Sequence, residues 1–255
     1  MNNITETVKH LIIINVIMFV GTLTIGGSAF GSNTLFYDWF ALHFPENVTF
    51  QFWQIITHMF MHGGFMHILF NMFALWMFGT AVEQRFGAKK FLFFYISSGL
   101  GAAICMLGYY YITFYSGLSV LTENGLNKAQ ILDTLNSGMY NTGWQQIMGA
   151  ADMQQFIRVF NSTMVGASGA IMGVLVAFGM LYPNSKLMLI FLPVPIKAKY
   201  FIPGILALDL ISAITGQSFF SPSNTAYVAH LGGALTGFII MWYWKKTQFN
   251  KNRWY

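Results

Sequence analysis

Charge is what this chain has least of: Asp, Glu, Lys and Arg make up only 8% of 255 residues, against 55% hydrophobic and 18% aromatic. Soluble domains carry about 25% charged residues, so with a mean hydropathy of +0.54 most of this chain has no water-facing surface. Cysteine is nearly absent. The single Cys105, set in an apolar run, excludes an intramolecular disulfide framework and reads as packing. A net charge of +5 does not indicate nucleic acid, because the 13 cations are scattered over loops and ends and form no basic stripe. No repeat, low-complexity tract or separate soluble domain interrupts residues 1–255, which read as one membrane domain.

What the chain has instead is apolar stretches. A bilayer takes about 20 helical residues to cross, and such stretches fall at about 11–30, 67–82, 91–114, 164–182, 200–216 and 226–244. The expected fold is an all-α polytopic membrane protein, a bundle of six spans with both ends on one side. Lys9, Arg85, Lys89, Lys90, Lys186, Lys197, Lys199, Lys245, Lys246, Lys251 and Arg253 then share that side, leaving Lys128 and Arg158 on the other. By the positive-inside rule, both termini are expected in the cytoplasm. A signal-peptide reading of the first span, cleaved near Gly27-Ser28-Ala29, fits less well: Glu6 offsets Lys9, and the run exceeds an h-region of about 7–15 residues.

Two extracytoplasmic segments stand out. Residues 32–66 hold no Lys or Arg but many aromatics, including Phe36, Trp39, Phe52 and Trp53, as expected of a first loop embedded in the outer leaflet. Residues 117–162 form an insertion with two amphipathic pieces, Asn127 to Leu135 and Asp152 to Phe160, expected to rest on the membrane surface.

Polar residues inside apolar spans are costly and usually functional. His67, Ser168 and His230 sit near the starts of three spans that run from outside to inside. Fourteen residues further on, each span reaches the cytoplasmic-side cations, so all three lie about 21 Å above the inner interface. Gly169-x3-Gly173 and Gly233-x3-Gly237 begin right after Ser168 and His230, and such patterns let helix backbones meet closely. His67 and Asn71, four apart on one face, supply hydrogen-bond donors of the kind an oxyanion needs. Taken alone, each pattern is also explained by helix packing; the common depth favours a serine nucleophile with a histidine base.

His58-Met59-Phe60-Met61-His62, His67 to Asn71, Gly79-x3-Glu83-x3-Gly87, Gly166-Ala167-Ser168-Gly169 and Ala229-His230-Leu231-Gly232-Gly233 with Gly237, in this order, resemble the rhomboid intramembrane serine proteases. The resemblance implies a six-helix core and peptide-bond hydrolysis by Ser168 and His230 as a dyad without a third acid. Its oxyanion hole would be the Ser168 amide with His67 and Asn71. It implies no cofactor, transmembrane proteins as substrates, a bacterial cell membrane as location, and helix 200–216 with Pro203 as a lateral gate capped by the loop 217–222. His58 and His62 would organise the first loop and admit water, with Trp53 supporting that loop; Glu83 would hydrogen-bond between helices, and Gly166, Gly169, Gly233 and Gly237 would give structural support. A metal at His58 and His62 is not expected, because a third ligand is missing.

Three points bear on this reading. Gln54 and Met172 stand where the family often has an arginine and an aromatic. Asp209, counted along its helix, falls about 6 Å below the Ser168 layer, which argues against its completing a triad and for its bonding a neighbouring helix or shaping the gate. A non-catalytic relative that binds transmembrane helices, or a small transporter lined by His and Asn, would share much of this pattern.

Overall fold

The computed structural model describes residues 4–25, 35–189, 192–216 and 226–247. Helix α1 (Glu6–Thr24) is followed by α2 (Leu35–Phe40), strand β1 (Leu42–His43), α3 (Gln54–Thr57) and a tight helical turn at His58–Phe60. Next comes one continuous helix made of α4 (Phe65–Ala74), a π-helical turn (Leu75–Gly79) and α5 (Thr80–Phe86). The long α6 (Ala88–Glu123) leads to α7 (Lys128–Asn136), α8 (Trp144–Met148), α9 (Ala150–Phe160) and β2 (Thr163–Met164). The chain then returns through α10 (Ser168–Leu181), the hairpin β3 (Lys186–Leu189) and β4 (Leu192–Lys197), α11 (Ala198–Thr215) and α12 (Ala226–Thr247). Helix α1, the Phe65–Phe86 helix, α6 and α11 are long and apolar enough to cross a membrane, and α10 is a shorter apolar helix. The architecture is an all-α polytopic membrane bundle with two small antiparallel ladders, β1 with β2 and β3 with β4.

Helix α10 is the core of the bundle. Every residue from Gly169 to Phe178 is buried, the mark of a helix that is apolar all round. It lies against α6 and α12. Its approach to α12 is backbone on backbone: a Cβ added at Gly233 would lie 1.9 Å from the Gly169 carbonyl oxygen, and one at Gly237 would lie 2.6 Å from Gly173 Cα. The two GxxxG patterns are therefore the two halves of one seam, where only glycine lets the backbones touch.

The start of α1 is capped from another helix. The Glu83 carboxylate of α5 accepts from the Thr5 hydroxyl at 2.6 Å and from the amides of Thr7 at 3.1 Å and Val8 at 2.9 Å. Thr5, at the N-cap, gives α1 no side-chain cap of its own, so Glu83 satisfies orphan N–H groups and places a negative charge at the positive end of the helix. Glu83→Gln keeps one acceptor but removes the charge. It is expected to lower the unfolding free energy in detergent by about 2 kcal/mol, as read by denaturant titration; unchanged stability would mean that α1 is anchored otherwise.

The 117–162 segment is more built than expected. Helix α6 continues through Glu123, and α7, α8 and α9 close a second hydrophobic core on its distal half. Phe114, Leu118 and Leu121 of α6 meet Ile131, Leu135, Trp144, Met153, Phe156 and Phe160 there, with Phe114 and Phe156 stacked at 4.6 Å. The amphipathic pieces thus bury their apolar faces against protein. Phe44 of the first loop joins this core, and Asn136 and Asn47 bond across between insertion and loop. Glu46 accepts from the Tyr115 hydroxyl, over whose ring Lys128 sits.

Candidate active site

Helix α10 has 14 residues and rises about 21 Å, less than the roughly 30 Å of hydrocarbon. Its first residue, Ser168, is therefore held at depth, and the irregular chain before it is tolerated because protein surrounds it. Met164 and Thr163 pair with Leu42 and His43 of the first loop, and the Gly166 amide donates to the His58 carbonyl at 2.9 Å. Gly166 has φ +120°, a conformation that favours glycine. A Cβ there would also stand 2.8 Å from His67 Nε2 and 3.7 Å from Ser168 Oγ. The turn thus presents the serine hydroxyl beside the His67 ring. The Ser168 amide, in the first turn of α10, has no intrahelical acceptor to satisfy it.

From α12, His230 Nε2 lies 2.9 Å from Ser168 Oγ. On its other side, Nδ1 lies 3.1 Å from an Asp209 carboxylate oxygen of α11. An ionised carboxylate can only accept, so this geometry suits the tautomer with the proton on Nδ1 and the Nε2 lone pair facing the serine hydroxyl. This overturns the depth argument against Asp209. Counting 1.5 Å per residue treats the helices as parallel and the side chains as points, whereas α11 contains Pro203 and the Asp and His side chains close the remaining gap. No pattern signalled this contact; the only sign was the presence of an acid in a span.

His67 and Asn71 stand on α4. The Gly63 amide donates to His67 Nδ1 at 3.3 Å, which leaves the proton on Nε2, the nitrogen facing the Gly166 turn. Asn71, buried, uses one amide hydrogen on the His67 carbonyl at 3.0 Å, and the second remains to be offered. The His62 ring meets His67 edge to face at 5.0 Å. In the first loop, burial lowers the pKa of His58 to about 4 and that of His62 to about 3, the latter also through the nearby His67, so both rings are neutral at pH 7. His58 Nδ1 donates to the Gln54 carbonyl at 2.9 Å.

Gln54 is the loop residue that sequence reasoning underrated. Fully buried, it donates to the carbonyls of Asp38 at 2.7 Å and Thr49 at 3.0 Å and accepts from the His43 amide at 3.3 Å. One neutral amide thereby ties three segments of the loop. Trp53 adds an indole bond to the Trp39 carbonyl at 2.8 Å. Trp39, Phe52 and Trp53 leave large apolar surfaces exposed, which suits a lipid environment. Met172 is buried in the core beside α10's other apolar residues, and Cys105 packs where a Cβ on Gly232 would meet its Sγ at 2.8 Å.

Among the described residues, no group of three or more His, Cys, Asp or Glu is placed to hold a metal ion. The expected cap at 217–222 and the cleavage motif Gly27-Ser28-Ala29 lie outside the described residues. A hydroxyl, an imidazole in the accepting tautomer and a set of nearby N–H donors make an arrangement suited to acyl transfer.

Compared with known proteins, residues 49–247 match the family described as Rhomboid domain. "Rhomboid protein 1, mitochondrial" of Saccharomyces cerevisiae is 28% identical over 193 residues, which cover 76% of this chain and 42% of that protein. The chain thus spans less than half the length of this relative. The matched region runs from the first loop through the Gly166 turn to the end of α12, so it takes in both halves of the glycine seam, and on that breadth this chain belongs to the rhomboid family.

Proposed function

We propose that this chain is an intramembrane serine endopeptidase that cleaves transmembrane proteins near the outer ends of their spans. The observation that carries the reading is the 2.9 Å contact between Ser168 Oγ and His230 Nε2. Ser168 attacks the scissile carbonyl while His230 Nε2 takes its proton, then returns that proton to the leaving amine; water repeats the sequence on the acyl-enzyme. The Ser168 amide, His67 Nε2–H and the second Asn71 amide hydrogen stabilise the oxyanion. His62, buried against His67, and His58, bonded to the Gln54 carbonyl, organise the first loop above the site.

A helical peptide bond is sheltered by its own hydrogen bonding, so the substrate unwinds locally to reach Ser168. Helix α11 turns Leu210, Ile211 and Ile214 outward and is the face at which a substrate helix enters. The cation distribution supports both ends on the cation-rich, cytoplasmic-type side of the membrane. Retention of both the serine and the histidine favours hydrolysis over a helix-binding or transport role.

The test is purified protein in liposomes with a panel of transmembrane substrates, the cut located by mass spectrometry. Asn71→Ala is expected to lower kcat by about 10²–10³-fold, as loss of one oxyanion donor does, with little change in KM. An unaltered kcat would remove Asn71 from the oxyanion hole, and transport without cleavage would favour the rival reading.

A further inference from the structure

We infer that Asp209 is a positioning residue for His230, so that this chain runs a three-residue relay whose acid rides on helix α11. The inference rests on the protease reading and goes beyond the two-residue chemistry proposed there. Three observations carry it. The Asp209 carboxylate reaches His230 Nδ1 at 3.1 Å while His230 Nε2 reaches Ser168 Oγ at 2.9 Å, so the three groups stand in line through one imidazole. The Asp209 side chain is 5% exposed and that of His230 16%, so the pair is shielded from water and its attraction is strong. Finally, Ala198, Ile202, Asp209 and Ser212 form the buried stripe of α11, which puts the acid on the face turned toward α12.

A charge so placed does two things. It holds the Nδ1–H tautomer, leaving Nε2 free to accept, and it stabilises the imidazolium formed when Ser168 gives up its proton. The carboxylate keeps its charge throughout: the serine proton moves to Nε2 and later to the leaving amine, while the Nδ1 proton stays on the ring. The groups facing His230 are Asp209 from α11, Ser168 from α10 and, within electrostatic reach, His67 from α4.

The test compares wild type with Asp209→Asn and Asp209→Glu in liposomes. Asp209→Asn is expected to lower kcat by up to about 10⁴-fold, the scale on which the wrong histidine tautomer acts, with KM nearly unchanged. Asp209→Glu keeps the acceptor and recovers part of kcat. A role in helix packing alone would not lower kcat at constant KM. Nitrogen-15 shifts of labelled His230 in the wild-type protein give a reading independent of variant folding: an Nδ1–H tautomer supports the proposal, and an Nε2–H tautomer overturns it. Wild-type kcat in the Asn variant also overturns it. If wild-type Ser168 neither cleaves substrate nor reacts with a fluorophosphonate, the protease reading fails as well, which separates the two failures.

Discussion

Ser168→Ala is expected to abolish cleavage, lowering kcat/KM by at least about 10⁴-fold, the scale on which a nucleophile acting with its base is lost. The variant removes a single oxygen from the first residue of α10, 2.9 Å from His230 Nε2. Ala is a good helix former, and the glycine seam begins only at the next residue, so the bundle should keep its stability. His230→Ala removes the acceptor of the same proton, and the double variant should be no worse than either single one, because the two groups act as a unit. A fluorophosphonate probe reads the same event without a substrate: it should label wild type and leave Ser168→Ala unlabelled. Undiminished cleavage by Ser168→Ala would remove the hydroxyl from the reaction and with it the serine peptidase reading.

How much of this was legible beforehand depended on the kind of contact. The long apolar helices were legible because burial in lipid demands apolar runs, and four described helices are long and apolar enough to cross, although their ends were not: α6 extends to Glu123, beyond the expected end near 114, because its last turns bury apolar residues against the insertion. The i, i+4 pair His67 and Asn71 and the two GxxxG patterns carry their geometry in their spacing, so their placement could be argued from helix periodicity alone. The His43–Thr163 pairing, the three bonds of Gln54 and the Asp209–His230 contact join residues far apart in sequence. No local spacing encodes such partners. Asp209 shows the cost of reasoning in one dimension, since depth along a helix ignores tilt and side-chain reach. Gln54 shows a second limit: the absence of an arginine left the hydrogen bonding of the loop open, and a buried amide with two donors and an acceptor supplies it without a charge.

Gly233→Ala is expected to be the most damaging single methyl that can be added to the bundle. The new Cβ would fall 1.9 Å from the Gly169 carbonyl oxygen, 2.7 Å from its carbonyl carbon and 3.3 Å from its Cα. All three are backbone atoms of a helix buried along ten consecutive residues, so no side chain can rotate away and the helices must part by an ångström or more. Overpacking of this kind costs about 1–3 kcal/mol, which should appear as a lower unfolding temperature in detergent. Activity should suffer more than stability. Gly169 directly follows Ser168, and Gly233 lies one turn beyond His230, so separation at this point lengthens the 2.9 Å contact between hydroxyl and imidazole. A displacement of about 1 Å at a reacting group costs about 10²-fold in rate, and at least that loss is expected in kcat. Gly108→Ala on α6 is the matched control: a Cβ there meets nothing within 4 Å, so stability should not fall and kcat should stay at the wild-type value. If Gly233→Ala kept both, the close backbone approach could not be what brings Ser168 to His230.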